Sequence, residues 1–415
     1  SSEYKMLSYF ARVNYTLMDR YLFEVNMRAD ASSRFHKDHR WGYFPSFSAG
    51  WRMSEESFMK DIEWINNLKI RASYGTLGNI NNVGNYDYFQ NYSSGNHYNF
   101  SDSPVIGIGE SKPANETLGW EKVALTDIGL DFDIFNGLLG VTADYYIKNT
   151  SDILLGYNVP TETGITAAPS QNIGKVKNTG FELALNHRNK IGAVNYSIGA
   201  NIATNKNKIT NLGGSDNIIQ TSSYIVKYIL KKGESIGSFY GFKTDGLYTQ
   251  ADIDAGHYYT LSGVVPNAGD IKFVPQRDIE YKQEITDEDR TILGKDVPDF
   301  TYGVNLSLQY KGFGFSMFGQ GISGTKVAFD VYGVHPFYHG QDSPRKYHLK
   351  RWTEENPNPH AAYPRIYSAS SVHTTYNRNF SDYHLFDSDY FRFKTLSLGY
   401  TVPSATVKNW GLQSL

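Results

Sequence analysis

At 415 residues and a formal net charge of −2, the chain has room for one large architecture or two to three ordinary domains, and no electrostatic case for nucleic acid. Hydrophobic residues make up 40%, and no apolar run reaches the ~18 residues a membrane helix needs, which argues against a helical membrane protein. Cysteine is absent, so disulfide frameworks and thiolate metal sites are excluded, while aromatic content is high, at 15% with 32 Tyr and 24 Phe.

The first elements are strands with two unlike faces. In Met6–Met18, Leu7, Tyr9, Ala11, Val13, Tyr15 and Leu17 oppose Ser8, Arg12, Asn14 and Thr16. In Tyr21–Ser32, Tyr21, Phe23, Val25 and Met27 oppose Glu24, Asn26, Arg28 and Asp30. Strict alternation predicts β-structure with one apolar and one polar face. Further strands are predicted near Phe44–Met53, Leu68–Gly75, Val123–Ile134, Leu139–Lys148, Val176–Asn186, Tyr196–Ile202, Tyr302–Tyr310, Phe313–Gly321 and Asp389–Val402, eleven in all. Asp127, Asp131 and Asp133 share the polar face of the fifth, and Thr142, Asp144 and Lys148 that of the sixth.

The connections alternate strictly. Short ones follow Met18, Phe135, Asn186, Tyr310 and Val402, and a helical turn fits the medium link "SEESFMKDIEWINN". Long ones cover roughly 33–43, 79–116, 152–175, 209–298 and 323–388. Long loops on one side and short turns on the other, with strands that reach the ~9–11 residues a tilted span requires, predict an all-β transmembrane antiparallel barrel rather than a soluble sandwich. Tyr21, Phe23, Val25 and Met27 then face lipid, and Glu24, Asn26, Arg28, Asp30, Asp127, Asp131 and Asp144 face the lumen. Trp41 and Tyr43, near the outer end of a strand, suit an aromatic girdle. Edge strands are untenable in lipid, so eleven strands imply a partial barrel over 1–415, incomplete at both ends, with "WGLQSL" reading as the start of a twelfth strand.

Several stretches resemble the SusC/RagA family of TonB-dependent outer-membrane transporters. They are "WGYFPSFSAGWRMSEE" (41–56), "NNLKIRASYGTLGN" (66–79), "VKNTGFELALN" (176–186), "NKNKI" (205–209), "GSFYGFKTDGLY" (237–248), "DRTILGKDVPDFTYGVNLSLQYKGFGFSMFGQG" (289–321), "RWTEENPNPHAAYPRI" (351–366) and "DYFRFKTLSLGYTVP" (389–403), in the family's order. The resemblance implies about the C-terminal half of a 22-stranded barrel, with the plug domain, the TonB-interacting segment and the last strands outside this chain. It implies the outer membrane of a Gram-negative bacterium, a SusD-like surface lipoprotein as lid, the TonB complex as energy source, and oligosaccharide import, with peptide import as the alternative. A non-transporting structural or adhesive barrel is the alternative from another class. Many relatives carry an Asp-x-Asn-Gly-Asp-Gly run after a "GDIKF"-like stretch, which looks like a calcium or magnesium site. Here 269–290 lacks it, although Asp278, Asp287 and Asp289 are present, so a solvated acidic loop is the preferred reading and no cofactor is expected.

Binding residues are expected in the long loops. "YDYFQNYSSGNHYNF" interleaves Tyr86, Tyr88, Phe89, Tyr92, His97, Tyr98 and Phe100 with Asn and Ser, which suits rings for a sugar face and amides for its hydroxyls. The plainer reading is that these rings pack the loop or meet the lid. Trp352, beside Glu354, Glu355 and an "NPNPH" turn, suits loop architecture or a docking surface for the lid, with substrate contact as the lesser reading. His335 and His339 form a lone HxxxH with too few ligands for zinc. The acids Asp127, Asp131, Asp133 and Glu182 are ordinary for a wet lumen, and no catalytic residues and no enzyme are expected.

Overall fold

The computed structural model describes residues 3–100, 103–156, 170–221, 225–329, 334–337, 343–409 and 411. The chain divides into two units. The first comprises Ser1–Ser215, Phe300–Gly321 and Phe391–Leu415; the second comprises Asp216–Asp299 and Ile322–Tyr390.

The first unit is a wall of antiparallel strands: β1 (Met6–Leu17), β2 (Tyr21–Ser32), β3 (Trp41–Arg52), β4 (Ile65–Asn79), β5 (Glu121–Ile134), β6 (Leu139–Gly156), β7 (Ser170–Ile191), β8 (Val194–Thr204), β9 (Phe300–Tyr310), β10 (Phe313–Ser323) and β11 (Tyr390–Tyr400). A strand stands at each of the eleven expected places, and the sheet order follows the chain from β1 to β11. Lys206–Leu212 adds a short partner along Gly174–Thr179 of β7. Connections at one end are 18–20, 135–138, 192–193 and 311–312, all short, with the medium link 53–64; those at the other are 33–40, of eight residues, and the long 80–120, 157–169, 205–299 and 324–389. In an antiparallel meander, that alternation gathers the long connections at one end.

Two corrections concern lengths. β6 and β7 run to 18 and 22 residues, so the expected loop 152–175 shrinks to 157–169, which lies outside the described residues. After β11, Ser404–Asn409 is helical, and residues 410 and 412–415 of the expected twelfth strand lie outside the described residues. The medium link opens on a 3-10 turn at Met53–Glu55, as expected. At the tight turn between β9 and β10, Lys311 and Gly312 both take positive φ, 45° and 89°. That is the geometry whose twist matches paired strands, and only glycine adopts it without strain.

Register decides what each face carries. Tyr15, Phe23, Ala49, Ala72, Ile128, Tyr145 and Phe181 stand side by side across seven strands. Their large members are exposed: Tyr15 59%, Phe23 45%, Ile128 56%, Tyr145 49%. One step along each strand, Asn14, Glu24, Ser48, Ser73, Asp127 and Tyr146 form the matching row on the other face. The wall is therefore apolar outside and polar inside.

The second unit has an ordinary interior. Phe242, Leu247, Leu261, Ile271, Phe273, Ile285, Trp352 and Tyr376 form a buried cluster. Short strands frame it: Lys243–Leu247 pairs with Ile271–Val274, and Thr260–Leu261 pairs in parallel with Glu284–Ile285.

Candidate functional site

The polar face of the wall is built around Arg71 of β4. Its guanidinium reaches Asp144 at 2.6 Å, Asp131 at 3.3 Å and Asp127 at 3.4 Å. Cross-strand register brings these together: Arg71 stands opposite Gly129, and Gly129 opposite Asp144. A Cβ at Gly129 would lie 2.6 Å from Arg71 Cζ and 2.3 Å from an Asp144 oxygen, so the glycine makes the room the guanidinium occupies. Three acids expected on one surface thus share the Arg71 guanidinium, and Lys69 Nζ lies 3.8 Å from Asp131 as well. Nearer β1, Arg12 donates to Asn26 Oδ1 at 2.6 Å, and Asn26 Nδ2 donates to Glu24 at 2.7 Å and Ser46 at 3.2 Å. Arg28 donates to the buried Asp30 at 2.7 Å. Glu24, Asn26, Arg28, Asp30, Asp127, Asp131 and Asp144 therefore stand on the polar face, while Phe23, Val25 and Met27 are exposed on the apolar one and Tyr21 is partly buried there.

Aromatic rings gather at both ends of the apolar face. Tyr9 stacks on Trp41 at 6.0 Å and Trp41 on Tyr43 at 6.5 Å near the long-connection end. Trp64 meets Phe132 at 6.3 Å and Phe135 at 5.9 Å at the other. Two such belts mark the two interfaces of a bilayer. At the short-turn end, Glu56 accepts hydrogen bonds from Arg20 at 2.6 Å, the Tyr21 hydroxyl at 2.6 Å and the Trp51 indole at 3.0 Å. The Tyr21 bond, and then that of Trp51, hold its carboxyl below the usual range.

The loop residues divide. Tyr86, Phe89 and Tyr92 are exposed, at 51%, 50% and 64%. Tyr88 instead packs on the buried cluster of Phe35, Phe44, Val83, Leu118 and Trp120, and its ring lies 4.2 Å from Phe89. His97 and Tyr98 fall in a hairpin, Asn91–Phe100 against Ser103–Lys112, where they pair with Ile106 and Val105; their side chains lie outside the described residues. Trp352 requires correction as a contact residue. It is 4% exposed, because the turn that carries it folds its ring into the second unit's core beside Gly269. His339 of the HxxxH pair lies outside the described residues.

Asp289 is fully buried and saturated. Arg277 donates to it at 2.7 and 3.1 Å, and the N–H groups of Thr286, Gln276 and Arg277 donate at 2.9, 3.0 and 3.1 Å. Burial opposes its ionisation, yet the guanidinium and these N–H groups bring its pKa down to about 2. Asp287 is bound to Arg290 at 2.6 Å, and Asp278 is exposed. Among the described residues no three acids or histidines gather as metal ligands.

A site that the sequence reading missed lies within the second unit. A cavity of about 440 Å³, open to one side, is lined by Phe329, residues 334–336, Tyr347, residues 361–367 and parts of 374–386. The Tyr347 hydroxyl donates to Val334 O at 3.0 Å, the Tyr383 hydroxyl to Ala362 O at 2.9 Å, and the Tyr363 hydroxyl lies 3.4 Å from His335 Nδ1. The rings of His335 and His384 lie 5.8 Å apart. Arg365 lies 5.5 Å from both the Trp352 and Tyr367 rings, and Arg378 completes the polar lining. The signal was the alternation of Tyr363, Arg365 and Tyr367 just after the "NPNPH" turn.

The whole chain, residues 1–415, matches the family model described as TonB dependent receptor-like, beta-barrel. The chain belongs to this family. It is 32% identical to TonB-dependent receptor P3 of Formosa agariphila over 100% of its own length and 40% of that protein's. It is 34% identical to TonB-dependent receptor SusC of Bacteroides thetaiotaomicron over 75% of its length and 30% of that protein's. The chain thus spans about 40% or less of these relatives. The fold also matches the RagAB peptide transporter, with a TM-score of 0.78, 24% identity, and coverage of 99% of this chain and 42% of that one. This is a SusC/RagA-type barrel of the outer membrane, from a family of transporters and receptors rather than enzymes. The eleven-strand wall is part of a larger barrel.

Proposed function

We propose that this SusC/RagA-type barrel is the wall and outer loops of a TonB-dependent importer of oligosaccharides, working under a SusD-like lipoprotein. The apolar row from Tyr15 to Phe181 touches lipid, and the Arg71 cluster lines the lumen, where the plug of the intact protein would meet it. The observation that carries the substrate reading is the 79–116 loop. It presents Tyr86, Phe89 and Tyr92 to solvent among asparagines and serines, rings for sugar faces beside amides and hydroxyls. No metal is assigned to 269–290, since Asp287 and Asp289 are each taken by an arginine.

The test is uptake by the intact protein. A strain lacking the full-length gene should lose growth on the cognate oligosaccharides and keep growth on peptides. Affinity purification should bring down a lipidated partner. Loss of growth on peptides alone would replace this reading with peptide import. Unchanged uptake of both would favour an adhesive or structural barrel. Deleting 79–116 should impair capture or lid docking and leave the barrel folded.

A further inference from the structure

The apolar side of the wall changes character toward the long-connection end of β7. Outward of Phe181, the next positions on that side are Thr179, Lys177 and Lys175. The short strand Lys206–Leu212 sets Lys206 opposite Thr179 and Lys208 opposite Lys177. Opposed residues share a face, and this is the face on which Ile128, Tyr145 and Phe181 stand exposed. Lys175, Lys177, Lys206 and Lys208 are all exposed, whereas Asn207 and Ile209, on the other side of the short strand, are buried. Pairing therefore holds these lysines on the exterior. Like charges directly opposite in a ladder weaken it, and Lys177 and Lys208 are such a pair. Asp152 lies 3.8 Å from Lys122, but among the described residues no carboxylate comes within ion-pair distance of the other lysines. Depth follows from strand geometry. Two residues advance a strand by about 7 Å, so Lys206 and Lys177 stand roughly 7 and 13 Å along the strands from the level of Phe181, and less than that in height once the strands tilt. The headgroup layer above the hydrocarbon is about 5–8 Å deep, so the ammonium groups lie in it and just above it.

We propose that this patch binds the phosphate groups of an anionic glycolipid of the outer leaflet. Its acyl chains lie along Phe181, Tyr145 and Ile128, and its phosphate oxygens sit among Lys177, Lys206 and Lys208. An ammonium is a compact point charge, and several together suit a phosphate approached from different sides. The lipid neutralises the opposed lysines and fixes the height of the wall in the membrane. The site goes beyond the import reading and does not depend on which substrate is carried.

The experiment is native mass spectrometry of the full-length transporter, purified as the complex it forms and incubated with diphosphoryl lipid A, with dephosphorylated lipid A, or with inorganic phosphate alone. The native protein should retain the phosphorylated lipid at least about tenfold more than the dephosphorylated one, since each lysine at an anionic membrane surface adds to the attraction. Joint replacement Lys175→Gln, Lys177→Gln, Lys206→Gln and Lys208→Gln should erase that preference. Lys60→Gln, an exposed lysine of the short-turn end, should keep it. Lys208→Gln alone should lower retention in part and leave heat-modifiability in lipid A-free detergent unchanged, which covers the case in which the joint variant does not fold. Equal retention of the two lipid forms by the native protein would overturn the proposal. So would an inorganic phosphate adduct that the joint variant loses while its lipid retention is unchanged, which would make this a site for the free ion. Loss of a protein subunit from the joint variant with lipid retention unchanged would overturn it too, and make the patch a protein interface.

Discussion

Phe273 and Phe47 occupy opposite situations in one chain. Phe273 is fully buried in the loop unit, edge-on to Phe242 at 5.6 Å and to Tyr376 at 5.1 Å. Phe47 stands 52% exposed on the wall, flanked by Val25 and Tyr74 in the same register row. In the loop unit, apolar side chains leave water by turning inward, as in any soluble domain. In the wall they turn outward, and the polar groups that a soluble domain would show to water instead contact one another around Arg71. The difference shows which solvent each region is made for: lipid outside the wall, water around the loops. Backbone pairing within the wall fits this, since a span in lipid must satisfy every N–H and C=O internally.

The largest expected effect separates the two regions directly. Phe273→Ala removes a buried ring and leaves a cavity, so the loop unit should lose about 3–5 kcal/mol. Phe47→Ala should cost much less in a bilayer, because lipid fills the space it vacates. Limited proteolysis of the long loops reads the first, and heat-modifiability on gels reads the second. Equal losses in the two assays would mean that Phe47 packs on protein rather than lipid.

A smaller effect tests the wall alone. Val25→Arg places a charge on the apolar face and should cost about 2–4 kcal/mol near the bilayer midplane. Asn26→Arg, one residue on, enters the polar face beside Glu24 and should be far milder. Similar heat-modifiability of the two variants would remove the assignment of lipid and lumen faces.

How much was legible in the sequence follows the same division. Every wall strand was readable because alternation reports a boundary between two media, and each strand carries that boundary along its length. The signal stopped where the boundary does. In β6 the residues after Lys148 run Asn149, Thr150, Ser151, Asp152, polar on both faces, so the strand's outer end read as loop. The loop unit was illegible for another reason. Its strands are two to five residues long, and its core joins Phe242, Ile271, Trp352 and Tyr376, which are far apart in sequence. Trp352 misled because its neighbours spell a turn, while the residues that bury it lie some eighty positions upstream, around Gly269. The cavity was hidden likewise, since His335, Tyr363 and His384 meet only in the folded chain. Arg71 falls inside the predicted strand Leu68–Gly75, but its three acidic partners required the register.

The smallest effect isolates the loop unit through one ion pair. Asp289→Asn keeps the shape and removes the charge that Arg277 and three N–H groups hold. With the folded pKa near 2 against an unfolded carboxylate near 4, the ionised form contributes on the order of 2 kcal/mol at neutral pH. The sign is that of a depressed acid: the contribution is complete above the unfolded pKa and is lost as pH falls toward 2. The stability gap between the native chain and Asp289→Asn should therefore be full at pH 6, shrink below pH 4 and be nearly gone at pH 2, while heat-modifiability of the barrel stays level. A gap that does not change with pH would mean that Asp289 acts through shape and neutral hydrogen bonds. The loop unit's resistance to acid would then rest on its buried aromatic core.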